Sequence, residues 1–296
     1  MFAKSGMSCM KGYVYTLKHP CCVVSHLAIL TPKRDSSSYL QYCLRHIKPN
    51  TLVKDPAYPS ISLADISSLR IPLPPIAEQE KIVAELDCLT GILEKKQQQL
   101  EELDTLAQSI FYDMFGDPNV NDKHWRTLKF SETCKNLDYM RRPITAKDRV
   151  AGTIPYYGAS GIVDWVKDFI FDGDFLLISE DGANLLMRHT PIAFPAKGKT
   201  WVNNHAHILQ FEHLYEQSFM EHFINLMDIS SLITGAAQPK LTQANLNSID
   251  VFDIPVSSKV EFAQKIDAIE KQKALVKQSI VETETLFNSR MDYWFN

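Results

Sequence analysis

The stretch Pro59-Ser60-Ile61-Ser62-Leu63-Ala64-Asp65-Ile66 is met again, at a shift of 180, as Pro239-Lys240-Leu241-Thr242-Gln243-Ala244-Asn245-Leu246. The alignment runs without a gap to Phe115 and Phe295, pairing Ser68 with Ser248, Pro75 with Pro255, Asp87 with Asp267, Leu106 with Leu286 and Ser109 with Ser289. Identities are sparse, but the apolar pattern keeps its register throughout, as a duplicated structural unit does. Each copy has a short piece read as extended (Ile71-Pro72-Leu73 and Val251-Phe252-Asp253), a proline stop at Pro75 or Pro255, and then a helix-period run.

The first run opens with Glu78 and Glu80, whose carboxylates suit the positive end of a helix dipole. Its apolar positions Ile82, Leu86, Leu89, Leu93, Leu100, Leu103, Ala107, Ile110 and Met114 follow alternating steps of four and three, interrupted only by Lys96. The second run repeats the seam with Phe262, Ile266, Ile269, Val276, Ile280, Phe287 and Trp294, broken at Lys273, Thr283 and Arg290. A heptad seam of about 33 residues, roughly 50 Å long, is not stable alone in water. The economical solution packs the two helices on each other, antiparallel where the domain between them returns the chain. Gly116-Asp117-Pro118-Asn119 then ends the first helix.

Between the helices the chain reads as short strands and turns. Ile154 to Val163, Phe169 to Phe171, Phe175 to Ile178, Pro191 to Phe194 and His207 to Phe211 are strand candidates, and a helix is expected near 215–228. This is an α+β domain of about 130 residues. Residues 1–75 look like the later part of a domain of the same kind. Val23-Val24-Ser25-His26-Leu27-Ala28-Ile29-Leu30 resembles Val202-Asn203-Asn204-His205-Ala206-His207-Ile208-Leu209 at a shift of 179, while residues 120–180 have no earlier counterpart. The expected division is therefore a partial first domain (1–75), a first helix (76–116), a complete domain (117–255) and a second helix (256–296).

With 45% hydrophobic side chains the chain can bury one large or two modest cores. No run approaches the roughly 20 apolar residues of a membrane span, and the start lacks a signal-peptide layout, so the expected location is the cytoplasm. The six cysteines, Cys9, Cys21, Cys22, Cys43, Cys88 and Cys134, form no CxxC pair and read as free thiols. The net charge of -4 is unevenly spread: residues 1–75 carry nine Lys/Arg against three Asp/Glu, and residues 76–115 carry three against nine. A basic part that meets phosphate and an acidic helix that meets protein would fit this split, as would a solvated helix beside a basic globule. Residues 116–239 hold 12 basic and 15 acidic groups, so nucleic-acid binding there must rest on a local patch.

Ile71-Pro72-Leu73-Pro74-Pro75-Ile76-Ala77-Glu78-Gln79-Glu80-Lys81-Ile82, leading into a long helix, resembles the specificity subunit of type I restriction-modification enzymes. Tyr157-Gly158-Ala159-Ser160-Gly161-Ile162, the Val202 to Leu209 segment and Gln238-Pro239-Lys240-Leu241 extend the resemblance over nearly the whole chain. It implies mixed α/β target-recognition domains alternating with two long helices packed as an antiparallel coiled coil. It also implies that each recognition domain reads one half of a bipartite double-stranded DNA sequence. The helices would set the spacing and bind methyltransferase subunits, with a restriction/translocase subunit completing the complex. The incomplete first domain departs from that plan, through either a shortened gene product or a natural half-subunit, and two copies pairing would rebuild a two-domain reader.

Duplex DNA calls for Lys or Arg at phosphates and for amide, hydroxyl or guanidinium groups at base edges. The candidates are Arg141 and Arg142, Ser160, Lys197 and Lys199, Asn203, Asn204 and His205, and Gln238 and Lys240, with glycines such as Gly158 and Gly161 where backbone could approach phosphate. Lys11, Lys33 and Arg34 are weaker candidates in the partial domain. Against each stands the reading of a solvated turn. His205-x-His207 lacks a third metal ligand of convincing spacing. Glu180-Asp181 and Asp172-x-Asp174 suggest a nuclease-like carboxylate pair, but turns commonly carry such acids. The sequence shows no nucleophile, phosphate loop, cofactor loop or methyltransferase motif, so catalysis is expected from partners and no cofactor is implied. The reading from another class is a non-catalytic coiled-coil scaffold whose globular domain binds protein.

Overall fold

Sheet is scarce at the start of the chain, where β1 (Phe2–Ala3) pairs antiparallel with β2 (Leu27–Ala28). The computed structural model describes all residues except 18, 34 and 236, so Arg34 lies outside the described residues. It divides into two units, Met1–Glu101 with Ala274–Asn296, and Glu102–Lys273. In the first unit α1 (Ser37–Ile47) starts at Ser36, whose Oγ accepts the Tyr39 N–H, and α2 (Leu63–Ser67) starts at Ser62, whose Oγ accepts the Asp65 N–H. These short polar caps satisfy amides that a helix start leaves without intrahelical partners. Ile71-Pro72-Leu73 forms no strand, because two of the next three residues are prolines and lack ladder donors. The first heptad run is one helix, α3 (Ile76–Phe115), and Gly116 follows it at φ +80°.

One core of this unit gathers Phe2, Cys9, Val14, Ala28, Leu44 and Ile61. Another packs Tyr39, Tyr42 and Cys43 of α1 on Ile82 and Leu86 of α3 and on Met291. Leu89 and Val276 are buried, and Leu93, Leu100, Ile280 and Phe287 are partly covered. Here α3 and the chain's last helix run antiparallel: Arg290 Nη2 donates to Glu85 Oε2 at 3.1 Å and Lys96 Nζ to Ser279 Oγ at 2.6 Å. The polar interruptions of the seam are thus satisfied. Thr283 completes the set by donating to the Ser279 carbonyl at 2.7 Å.

The second unit holds β3 (Thr127–Lys129), β4 (Lys135–Asn136), β5 (Ala151–Gly158), β6 (Gly161–Val166), β7 (Phe171–Ser179), α4 (Asn184–Met187), β8 (Ala193–Val202), β9 (Ala206–Gln210), α5 (Leu214–Leu226), β10 (Ile233–Thr234), β11 (Lys240–Leu241), α6 (Gln243–Asn247), β12 (Asp250–Phe252) and the start of α7 (Val256–Phe295). Six strands form one sheet in the order β4-β9-β7-β8-β5-β6, antiparallel except for β5 beside β8. The strand candidate Ile154 to Val163 is a hairpin, because Gly158 pairs with Gly161 and turns the chain through Ala159-Ser160. The candidates around Phe171 and Phe175 are one strand, since Asp172 and Asp174 stand across from Lys199 and Lys197.

β7 separates two cores. Phe171, Phe175 and Leu177 face Val202, Ala206 and Ile208. Leu176 and Ile178 face the other core, where α5 contributes Phe219, Phe223 and Ile224 and the long helices contribute Phe111, Phe115, Phe262, Ile266 and Ile269. Leu103 and Ile110 pack against that core while partly exposed. The two long helices are antiparallel in this unit also, with Lys273 Nζ 2.8 Å from Asp104 and Lys265 Nζ 3.9 Å from Met114 Sδ. Among the described residues no helix is long and apolar enough to cross a membrane.

The duplication reaches into the globular parts, bond for bond. Lys4 N donates to His26 O (2.9 Å) as Glu180 N does to His205 O (2.9 Å). Gly6 N donates to Pro59 O and Gly182 N to Pro239 O, both at 3.0 Å. Ile61 N donates to Lys4 O and Leu241 N to Glu180 O, at 2.7 and 2.8 Å. Ser5 Oγ lies 2.7 Å from His26 Nδ1, where the second copy sets Asp181 2.8 Å from His205 Nδ1. The same backbone cradle therefore carries different side chains in its two copies.

Candidate nucleic-acid interface

The ends of β8 locate the site. Ser179 N donates to Ile192 O at 2.8 Å just before β8 begins, and Ser179 Oγ donates to Ala159 O. Asn203 N, just after β8 ends, donates to Tyr157 O at 3.1 Å, two residues from Ala159. A straight strand of ten residues would separate its ends by roughly 30 Å, so β8 curls back on itself. Gly173 and Gly198, paired across the hairpin at φ +150° and +68°, allow the bend. Around Ser179 the curl gathers the Gly158–Gly161 turn, residues 179–182, residues 203–205 and residues 238–241.

This edge is braced by a buried ion network. Arg141 Nη1 donates to Glu180 Oε2 at 2.6 Å and to Ala206 O at 2.7 Å, and its Nη2 lies 3.5 Å from Asp138. Lys240 Nζ reaches the other Glu180 oxygen at 2.9 Å. His207 places Nδ1 2.6 Å from Asp138 Oδ2 and Nε2 2.9 Å from Leu241 O, while Ile208 N donates to Asp138 Oδ1 at 2.9 Å. Burial alone would raise the Asp138 carboxyl, but hydrogen bonding to His207 and Ile208 and the nearby Arg141 charge hold it below the ordinary carboxylate range. Glu180 is likewise lowered, burial being outweighed by Lys240 and Arg141. Asp138, Glu180 and His207 bring potential ligand atoms within 4.8 Å of one another. Arg141 and Lys240 already supply the cations such a set calls for, and we assign the cluster to an ion network.

Each candidate residue has a definite place in this frame. Arg141 is directed inward, whereas Arg142 is exposed and its carbonyl accepts the Trp201 indole N–H at 2.6 Å. Gly158 is buried, and a Cβ there would meet the Val163 and Asn203 side chains. Ser160 is exposed at the turn. Asn203 is buried and its Oδ1 accepts the His205 N–H at 2.8 Å; Asn204 is exposed. His205 pairs with Asp181 at 2.8 Å, Gln238 is exposed, and Lys240 is half-exposed while held by Glu180. Lys197 and Lys199 lie apart from this group, at the bend of the hairpin opposite Asp174 and Asp172, with the Lys199 ammonium 4.6 Å above the Phe169 ring. The carboxylates Glu180 and Asp181 face cationic or histidine partners, and His205 and His207 serve different acids. Asp138 escaped the sequence reading. The detectable signal was His207, a polar residue inside the buried strand Ala206-His207-Ile208-Leu209, which demands a partner.

Comparison with known proteins agrees with this architecture. The sequence profile of the type I restriction modification DNA specificity domain matches residues 5–104 and 122–285. Over 149 residues the chain is 33% identical to the putative type I restriction enzyme specificity subunit S.HindORF215P of Haemophilus influenzae. The match takes in 50% of this chain and 38% of that protein, so it spans well under half of that relative's length. The crystal structure of a type I restriction-modification S subunit from M. genitalium superimposes with a TM-score of 0.60 at 14% identity, covering 100% of this chain and 82% of that one. A chain from a structure of type I R-M complex assembly and conformational transition gives 0.54 at 16% identity, over 87% and 70%. At these identities the likeness to the solved structures is one of fold.

Proposed function

The chain belongs to the type I restriction-modification DNA specificity family, and from that premise we propose that it reads one half of a bipartite DNA sequence and positions methyltransferase and restriction subunits, with no catalytic centre of its own. The reading places one complete recognition domain at 117–255 and the later part of another at 1–75, with helices 76–116 and 256–296 as spacer and partner surface. Work on intracellular DNA puts the complex in the cytoplasm.

One observation carries the reading. Around Ser179, the side chains of Arg142, Ser160, Asn204 and Gln238 make no hydrogen bond to any described residue and stand exposed on a frame whose own charges are matched internally. Amides suit adenine edges, a hydroxyl suits either partner of a pair, and a guanidinium suits guanine or phosphate. Arg141, Asn203 and His205 position these groups through the internal contacts described above. Lys197 and Lys199 contribute only charge, on a separate part of the hairpin.

Binding to duplex DNA, with the methyltransferase subunit present, should weaken about a hundredfold between roughly 50 and 200 mM salt if four phosphates are neutralised. The measurement is fluorescence anisotropy across a salt series. A flat response would favour the scaffold whose globular domain binds protein.

A further inference from the structure

The first of the two repeated cradles has the backbone of the second but the opposite charge. Lys4 stands where Glu180 stands, and Ser5 meets Ser60 in a single antiparallel bridge as Asp181 meets Lys240. In the second copy Glu180 lies 2.9 Å from Lys240 and 2.6 Å from Arg141, so its charge is answered within the protein. In the first copy a serine replaces Lys240, and the half-buried Lys4 meets no carboxylate among the described residues. All three acids of residues 1–75 have partners already: Asp65 takes Lys54 at 2.8 Å, Asp35 the Gln79 side-chain amide at 2.8 Å and Asp55 the Ala57 N–H at 2.9 Å. Gly6 of the cradle opens a five-residue 3-10 helix that ends at Lys11, which is exposed and likewise meets no carboxylate among the described residues. A partly desolvated ammonium without a counter-charge is costly, and an anion from outside the chain lowers that cost. Ser25, which precedes the His26 that accepts the Lys4 N–H, and Ser60 are exposed and add hydroxyls of the kind that hold phosphate oxygens.

We propose that the first cradle is a phosphate contact: Lys4, with Lys11, holds the DNA backbone and reads no base. The inference rests on the DNA-reading function proposed above, and it divides that function between the two copies, with base reading left to the second. It accounts for the reversal of charge at one backbone position, because a carboxylate in the place of Lys4 would repel phosphate and an internally matched pair would leave no charge to attract it.

The test uses the full chain with its methyltransferase subunit, on one duplex carrying the sequence methylated in cells and on another with that sequence scrambled, by fluorescence anisotropy across a salt series. Lys4→Gln should weaken binding to both duplexes by the same factor, roughly eightfold at about 100 mM salt, and make the slope of log affinity against log salt less steep by about 0.9, the share of one phosphate. Adding Lys11→Gln should repeat both changes, and Lys4→Arg should bind as the wild type does. Lys54→Gln, which removes a lysine already paired with Asp65, should leave the slope unchanged. An unchanged slope in Lys4→Gln, a loss confined to the target sequence, or an equal loss in Lys54→Gln would overturn the proposal. Loss of methyltransferase binding in Lys4→Gln, with the slope intact, would assign the cradle to a protein contact and overturn it too. A wild-type complex that binds neither duplex would instead defeat the DNA-reading function on which the inference depends.

Discussion

Replacing Phe111 with alanine is expected to destabilise the unit spanning residues 102–273 by about 3–5 kcal/mol, the cost of emptying a large aromatic site that its neighbours cannot refill. The Phe111 side chain is fully buried, and its ring centre lies 5.1 Å from that of Phe115, 5.6 Å from Phe262, 5.7 Å from Phe219 and 6.4 Å from Phe223. It therefore joins α3 to both α5 and α7. A smaller side chain would lose contacts to two neighbouring helices at once, including edge-to-face ring pairs worth more than their buried area. The measurement is the urea midpoint at unchanged slope. Leu106→Ala, at a position 47% exposed, should shift the midpoint little.

Arg141→Ala should cost about 3 kcal/mol, because it leaves Glu180 with one cation fewer in a site where the Arg141 and Glu180 side chains are only 12% and 11% exposed. Removing one member of a buried pair costs more than the pair contributes, since the remaining charge has lost its water as well as its partner. The same network fixes the direction of the pH response. Asp138 and Glu180 both have folded-state values below those of an unfolded chain, which lie at about 4. Their stabilisation is therefore complete above about pH 4 and is lost as the pH falls through the lower folded values. In Arg141→Ala one cause of the lowering is gone, so acid unfolding should begin at higher pH than in the wild type. Circular dichroism across an acid titration measures this, and coincident acid transitions would contradict it.

The helical half of the fold is legible in the sequence because a seam of period 3.5 repeats over two long runs. Leu86, Leu89, Phe262, Ile266, Ile269 and Val276 all fall on it and are buried. Phe111 and Phe115 do not fall on it. They are buried because α3 there meets α5 as well as α7, and a helix packed on two sides needs a wider apolar stripe than a coiled coil provides. The strands were harder to delimit. An apolar run continued through the two-residue turn at Ala159-Ser160, and charges inside β7 and β8 resembled a turn because their partners lie across the hairpin.

The candidate site was legible in residue type but not in role. Arg141 and Arg142 are neighbours, as are Asn203 and Asn204, yet in each pair the first is directed into the protein and the second is exposed. What separates them is a partner, Glu180, distant in the chain, for Arg141, and the His205 N–H, two residues on, for Asn203. Composition cannot supply that information. The repeated cradle has the same lesson in reverse: Lys4 and Glu180 occupy matching backbone positions with opposite charge, so the backbone is duplicated while the side chains it presents are free to differ.

The central claim, that the exposed polar edge around Ser179 reads DNA sequence, is tested most directly by sequencing methylated sites in a host that expresses this chain with its methyltransferase subunit. The wild type should methylate one defined motif, and Asn204→Ala or Gln238→Ala should relax that motif at a single position, in line with the roughly 1–3 kcal/mol of discrimination that a two-bond amide contact to adenine provides. An unchanged motif in both variants, or methylation independent of this chain, would contradict the account.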